Sequence, residues 1–208
     1  MASSGKKKLI LTGFGPFGHY KENPSSILVS KISQLGLPQE FSDKYELVTT
    51  LLDVAYNRVD SYVKENVKTE NAHFYIHVGV HPFPRIVKLE WQSQSEGYCR
   101  EDINGTCPST KRPCNAPTCG APEVLKTNFD CEKAVESIKS LIEPTELQLQ
   151  TSTDPGTYLC GYVFYCTLKE NQGKSLFVHV PEFDEIATPE LLEKILIEVI
   201  KEVLHQFP

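Results

Sequence analysis

The chain has 208 residues, of which 40% are apolar and 23% charged, and a formal net charge of −6. That length allows a sizeable core, and the composition is that of an ordinary globular protein. The acidic balance argues against nucleic acid or an anionic membrane as a partner, and no apolar run reaches the length of a membrane span.

Lys8 to Thr12 is a short apolar run closed by Gly13 and reads as a buried first strand. Gly13-Phe-Gly-Pro-Phe-Gly18 follows, a glycine-punctuated loop with two aromatic rings. Asn23 and Pro24 suit an N-cap and a first helical position. Ile27, Leu28, Ile32 and Leu35 then supply an apolar face, and Gly36 ends the helix. Tyr45 to Leu52 reads as a second strand. Asp53 is placed to cap a helix that carries Val54, Val59, Tyr62 and Val63. His73 to Val80 and Arg85 to Trp91 read as the third and fourth strands. Strands alternating with helices predict an α/β fold, a mostly parallel sheet covered on both faces.

Residues 93–122 break this rhythm. They are rich in Cys, Pro, Gly and Asn and show little periodicity. A stretch of this size is usually functional or an ordered insertion. It reads as an insertion over or beside the site, within one domain spanning 1–208. Beyond it, Phe129 to Ile142 is helical by its Ala134, Val135, Ile138 and Leu141 face, and Leu147 to Thr151 is a short strand. Ser175 to Val180 is the last strand, stopped by Pro181, and Pro189 opens a final amphipathic helix.

Four of the seven cysteines, Cys99, Cys107, Cys114 and Cys119, lie in the insertion. With no Cys-x-x-Cys and no nearby His pair, the zinc signal is weak. Met1-Ala-Ser-Ser-Gly-Lys6 lacks the apolar core of a secretory signal, so a cytoplasmic chain with free thiols is expected.

The stretch that organises the chain is Asp154-Pro-Gly-Thr-Tyr-Leu-Cys160-Gly-Tyr-Val-Phe-Tyr165. Pro155 and Gly156 break what precedes, and the apolar run after them reads as a buried helix with Cys160 in its first turn. A thiol there meets free backbone N–H groups and the positive end of the helix dipole, which favour thiolate. The same N–H groups suit an oxyanion. The plainer alternative is a small buried hydrophobe. A nucleophilic thiol wants a base and a group that orients the base. Among six histidines, His179 lies at the carboxyl end of a strand, where α/β sheets bind ligands, and Cys160 follows a different strand expected at the same edge. Glu90, in the strand-like Val87-Lys-Leu-Glu-Trp91, is the candidate orienting acid; its alternative is a solvated edge charge. Gly13-x-Gly15-x-x-Gly18 is formally a dinucleotide fingerprint. Pro16, which has no N–H to offer, and the two Phe fit an apolar ring pocket better than a pyrophosphate cradle.

Five motifs in this order resemble the pyroglutamyl peptidase I family of cysteine peptidases. They are Thr12-Gly-Phe-Gly-Pro-Phe-Gly18 with Asn23-Pro24-Ser25, then His77-Val-Gly-Val80, Leu89-Glu90, Ser152-Thr-Asp-Pro-Gly-Thr-Tyr-Leu-Cys160 with Tyr165, and Phe177-Val-His-Val-Pro181. The Cys-rich insertion with Gly97-Tyr98 looks like the animal-type members. The resemblance implies a single-domain three-layer α/β/α sandwich with a twisted, mostly parallel mixed sheet, and a Cys-His-Glu triad carried over as Cys160, His179 and Glu90. It implies that Phe14 and Phe17 sandwich a pyroglutamyl ring, with Asn23 and Gly79 also at the substrate. It implies no metal and no cofactor, and peptides with an N-terminal pyroglutamate as partners; monomer and homo-oligomer both stay open. The family usually has Ala where Pro155 stands and Asn or Asp where Gly161 stands. Its bacterial members have an Arg in place of Trp91. These departures keep a second reading, a catalytically weak relative that binds such peptides without cleaving them.

Overall fold

The computed structural model describes residues 5–70, 72–142 and 145–208. In chain order the strands are β1 (Lys7–Phe14), β2 (Tyr45–Leu52), β3 (Phe74–Val80), β4 (Ile86–Glu90), β5 (Gln92–Gln94), β6 (Val124–Lys126), β7 (Gln148–Ser152) and β8 (Ser175–Val180). The helices are α1 (Pro24–Leu35), α2 (Gln39–Ser42), α3 (Tyr56–Tyr62), α4 (Lys68–Glu70), α5 (Cys131–Ile142), α6 (Leu159–Glu170) and α7 (Pro189–Gln206), with a π-helical turn, Val63–Val67, joining α3 to α4.

Six strands form one mixed sheet in the order β2-β1-β3-β8-β4-β7, and β5 and β6 form a separate antiparallel pair. β1 is parallel to β2 and β3, and β3 is parallel to β8. β4 runs against β8, and β7 is parallel to β4. β7 therefore points opposite to β8, which corrects the expectation that Cys160 follows a strand ending at His179's edge. The loop between β7 and α6 carries the chain back to that edge instead.

Side-chain alternation along the strands divides the interior into two layers. Leu9, Leu11, Phe74, Ile76, Leu176 and Val178 face one core with α1, α5 and α7. Ile10, Tyr75 and Phe177 face the other with α3 and α6. The result is the expected α/β/α sandwich. α6 is buried from Gly161 through Leu168, nearly all round, which explains its lack of a polar face.

The cover over its outer side is the Cys-rich segment. Tyr98 is fully buried there, with its ring edge-on to Tyr162 at 5.3 Å and its hydroxyl donating to Gln94 O at 2.7 Å. Burying a ring of this size contributes about 1.5–3 kcal/mol. Asn115 Nδ2 donates to Cys166 O on α6 at 3.0 Å. Arg112 ties the segment to itself through Glu96 Oε2 at 2.8 Å, Pro117 O at 2.9 Å and Gly120 O at 2.9 Å. All seven cysteines are free thiols, and Cys114 lies within hydrogen-bonding reach of Cys166. Among the described residues, no group of three or more His, Cys, Asp or Glu side chains is placed to hold a metal ion. No described helix is long and apolar enough to cross a membrane.

α1 and α7 start as their sequences predict. Asn23 Oδ1 accepts Ser25 N–H at 3.0 Å ahead of Pro24, and Thr188 Oγ1 accepts Leu191 N–H at 3.2 Å ahead of Pro189. Asp53 does not cap α3. Its carboxylate lies 3.4 Å from Arg58 Nε, and the Tyr56 amide donates to Asp102 Oδ2 at 2.9 Å. The capping acid comes from the Cys-rich segment, which no local pattern around Asp53 encodes.

Candidate active site

The site begins with the chain reversal before α6. Asp154 Oδ1 accepts Gly156 N–H at 3.0 Å, and Gly156 takes a φ of 75°, where glycine is favoured. This turn presses on the first turn of α6: a Cβ built on Gly161 would lie 2.1 Å from Gly156 O. Gly161 is thus demanded by the close approach of Gly156 O in this turn. Ser93 Oγ donates to Gly161 O at 2.7 Å and steadies the same turn.

α6 opens without a side-chain cap; its N-cap is Tyr158. The helical ladder starts with Tyr162 N–H on Tyr158 O at 3.0 Å. The amides of Cys160 and Gly161 precede it and are not used by the helix. Cys160 is partly exposed, whereas the neighbouring helix thiol Cys166 is buried, and burial pushes that thiol well up.

Cys160 lies over the middle of the sheet. A Cβ on Gly79 would fall 2.7 Å from Phe177 Cζ and 3.1 Å from Cys160 Sγ. Gly79 is also the register partner of His179 across β3 and β8. Its missing side chain leaves room for the thiol and lets the Phe177 ring lie beside His179, centroids 4.6 Å apart.

His179 is 6% exposed and Glu90 is fully buried, with His179 Nδ1 donating to Glu90 Oε1 at 2.9 Å. Cys160 lies close enough to the imidazole to favour its charged form. Burial pulls the His179 pKa down, but Cys160 and Glu90 outweigh that and raise it to about 9. Glu90 is not a solvated edge charge: β4 lies between β8 and β7, and its Oε2 is buried with no hydrogen-bond partner among the described residues. Cys131, at the start of α5, gives a contrast. Burial first, and then Asp130 and Glu90, push its thiol up to about 12, so it stays protonated and inert.

Beside Cys160 is a narrow pocket of about 10 Å³, lined by Phe14, Phe17, Asn23, Val54, Val80, Tyr158 and Leu159. Phe14 rests against Phe177, centroids 6.3 Å apart, and Phe17 against Tyr158 at 6.5 Å. Asn23 reaches this wall while its side chain holds the glycine loop: Nδ2 donates to Gly15 O at 3.0 Å, and Oδ1 accepts Ser25 Oγ at 2.9 Å. Gly79 lies beneath the thiol and not on the pocket wall. Sequence reasoning assigned no role to Val54, Val80, Tyr158 and Leu159. Tyr158 carried a usable signal, two residues before the nucleophile candidate.

The remaining histidines have structural partners. His77 is fully buried; Thr12 Oγ1 donates to its Nδ1 at 2.6 Å and its Nε2 donates to Thr167 Oγ1 at 2.9 Å. This tautomer follows because the Thr167 hydroxyl proton goes to the α6 backbone. Burial lowers the His77 pKa to about 3. His81 donates to Ile86 O at 2.8 Å and accepts Phe83 N–H at 3.0 Å, and burial holds its pKa down at about 4. His73 donates to Phe207 O at 2.6 Å, His205 packs on Phe41, and His19 lies 3.4 Å from Glu182.

Known proteins are similar to this chain in sequence and fold. The chain is 29% identical over 199 residues to the pyroglutamyl-peptidase 1 of Mus musculus, covering 96% of this chain and 90% of that one. The pyrrolidone carboxyl peptidase of Fervidobacterium islandicum superposes with a TM-score of 0.75 at 24% identity, over 98% of this chain and 100% of that one. That of Thermococcus litoralis gives 0.76 at 20% identity, over 96% and 94%. These two structures share the fold. Residues 6–184 match the family model described as "Putative pyroglutamyl peptidase PgaPase_1", and the chain belongs to that pyroglutamyl peptidase family.

Proposed function

We propose that this protein is a cysteine omega-peptidase that hydrolyses the amide bond after an N-terminal pyroglutamyl residue, without metal or cofactor. The observation that carries the reading is the line from Cys160 through His179 to Glu90, set beside a small apolar pocket at an uncapped helix start. Family membership and the names of the relatives favour an enzyme over a binding module.

The pyroglutamyl ring enters the pocket between the Phe14 and Phe17 walls, where its apolar faces leave water. Its lactam N–H and C=O take backbone partners, since each one left unpaired costs roughly 1–3 kcal/mol. Asn23 acts by holding the glycine loop that carries these rings, and Gly79 by seating the thiol. His179 takes the Cys160 proton, and the sulfur attacks the amide carbonyl to give a tetrahedral intermediate. The free amides at the start of α6 hold the oxyanion. His179 then delivers the proton to the leaving amine, the C–N bond breaks, and a thioester remains. Water, deprotonated by His179, releases pyroglutamate and restores the thiol. Glu90 fixes the ring so that its Nε2 faces the sulfur, and stabilises the imidazolium.

The test is release of the fluorophore from a neutral pyroglutamyl aryl amide under reducing conditions. The native protein should turn over with a chelator present, and Cys160→Ala should fall to background while keeping its melting temperature. A folded native protein that binds the amide but leaves it intact would overturn the peptidase reading in favour of the binding module.

A further inference from the structure

Beyond the ring pocket, Cys160 and His179 open onto a larger cleft that contains two cations, Lys88 and Arg100. Neither has a carboxylate partner among the described residues. The chain's other three arginines do: Arg58 pairs with Asp53, Arg85 with Glu146, Asp184 and Glu185, and Arg112 with Glu96. Most lysines among the described residues also lack such a pair, so it is Arg100 that stands apart from its kind, and Lys88 is set apart by its place in the cleft. Each free cation is instead laid on an aromatic ring. Lys88 Nζ is 4.7 Å from the centre of Phe83, and the Arg100 guanidinium is 4.5 Å from that of Tyr158. Such contacts hold a cation in place without neutralising it. The cleft's own carboxylate, Asp154, is turned onto the Gly156 amide.

The position of Lys88 indicates which end of a substrate it meets. Lys88 is the register partner of His179 across β4 and β8. In the proposed reaction His179 protonates the leaving amine, so the residue after pyroglutamate lies on the His179 side of the thiol. We propose that this end of the cleft is a carboxylate subsite for the leaving portion of the peptide, with Lys88 as its contact and Arg100 adding to the field from the Tyr158 side. The inference rests on the peptidase reading and refines it: the favoured substrates carry a carboxylate just beyond the scissile bond. That group is the free C-terminus of a pyroglutamyl dipeptide or an acidic side chain at the same place.

The experiment compares kcat/KM for pyroglutamyl-alanine, its C-terminal amide, and pyroglutamyl-glutamic acid α-amide, whose only free carboxylate is the glutamyl side chain. A half-exposed ion pair gives about a fivefold advantage of carboxylate over neutral amide, shrinking as salt rises to about 0.5 M. The advantage should vanish in Lys88→Gln and return in Lys88→Arg. Taking the ratio cancels losses common to both substrates. Preference for the free dipeptide alone identifies the C-terminus as the source, and preference for the glutamic acid α-amide alone the side chain. Binding of the same three compounds to Cys160→Ala by calorimetry reads the subsite without turnover, which separates it from the peptidase reading. Equal affinity for all three, or an advantage that Lys88→Gln leaves intact, overturns the subsite. Failure of the native protein to cleave any of them overturns the reading beneath it.

Discussion

The two sides of the site are built by different means. On the sheet side, positions follow from strand register: Gly79 beside His179, and His179 beside Lys88. Glu90, two residues along β4, meets the imidazole across the pair. On the other side the nucleophile rides on a helix whose outer surface is covered by an irregular segment. That segment is held by side chains bonded to backbone, among them Asp102 on Tyr56 N–H, Asn115 on Cys166 O and Arg112 on Pro117 O and Gly120 O. A register error on the sheet side would move a reacting group; a broken bond on the covering side would loosen a support. Sheet-side variants should therefore show chiefly in rate, and cover-side variants in stability.

The largest effect is expected at Glu90→Gln. The amide keeps the shape and loses the charge, so kcat/KM should fall by roughly a hundredfold or more while the protein stays folded. The pH profile identifies the cause. Glu90 helps raise the His179 pKa to about 9, so the native alkaline limb should lie near there and move to lower pH in the variant. Stability follows the same sign. A raised histidine pKa stabilises fully below about 6.5, and that contribution is lost as pH rises through the folded value. The native melting temperature should decline toward pH 9, and the variant's should decline less. An unmoved alkaline limb would remove Glu90 from the proposed role.

Gly79→Ala comes next. The new methyl meets Phe177 and Cys160 Sγ at distances that force a shift. Overpacking of this kind costs about 1–3 kcal/mol, and displacement of the sulfur should lower kcat by about tenfold or more. Denaturant melts beside steady-state rates check both. A variant as active and as stable as the native protein would mean that the thiol does not depend on that gap.

The sheet-side elements were legible in the sequence because their signals are local. Short, mostly apolar runs predict β1, β2, β3 and β8, and Asn23-Pro24 and Pro189 mark helix starts. Cys160 in the first turn of α6 was readable from the Pro155-Gly156 break. Direction was not: nothing in Gln148–Ser152 states that β7 runs against β8, because strand sense is set by the partner and not by the strand. The α3 cap was misread for the same reason, since Asp53 is next to the helix and Asp102 reaches it from 46 residues away. In sequence Gly161 is only a departure from the family pattern; its reason, Gly156 O against it, exists in three dimensions. Lys88 and Arg100 are ordinary cations in sequence; their lack of partners exists only in three dimensions.

Asp102→Ala should have the smallest effect and bears most directly on the division between the two sides. Asp102 Oδ2 caps Tyr56, while its Oδ1 accepts Asn104 N–H at 2.8 Å, Thr106 N–H at 3.2 Å and the Thr106 hydroxyl at 3.1 Å. One carboxylate thus fastens the cover to α3 and closes a turn within the cover. Losing such a cap costs about 1–2 kcal/mol, and kcat/KM should change by less than about threefold, since the strands that carry His179 and Glu90 are untouched. The pH dependence separates this from a generic packing loss. Burial alone would raise the Asp102 pKa, but bonds from Tyr56, Asn104 and Thr106 lower it overall. A lowered carboxylate pKa stabilises above its unfolded value, about 3.9, and the contribution disappears as pH falls through the folded one. The gap in stability between native protein and variant should be full at neutral pH and narrow below about pH 4. A gap constant down to the acid limit would mean that the charge of Asp102 is not what joins the cover to the helix. A rate loss as large as that of Glu90→Gln would mean that the cover positions the reacting groups as strictly as the sheet does.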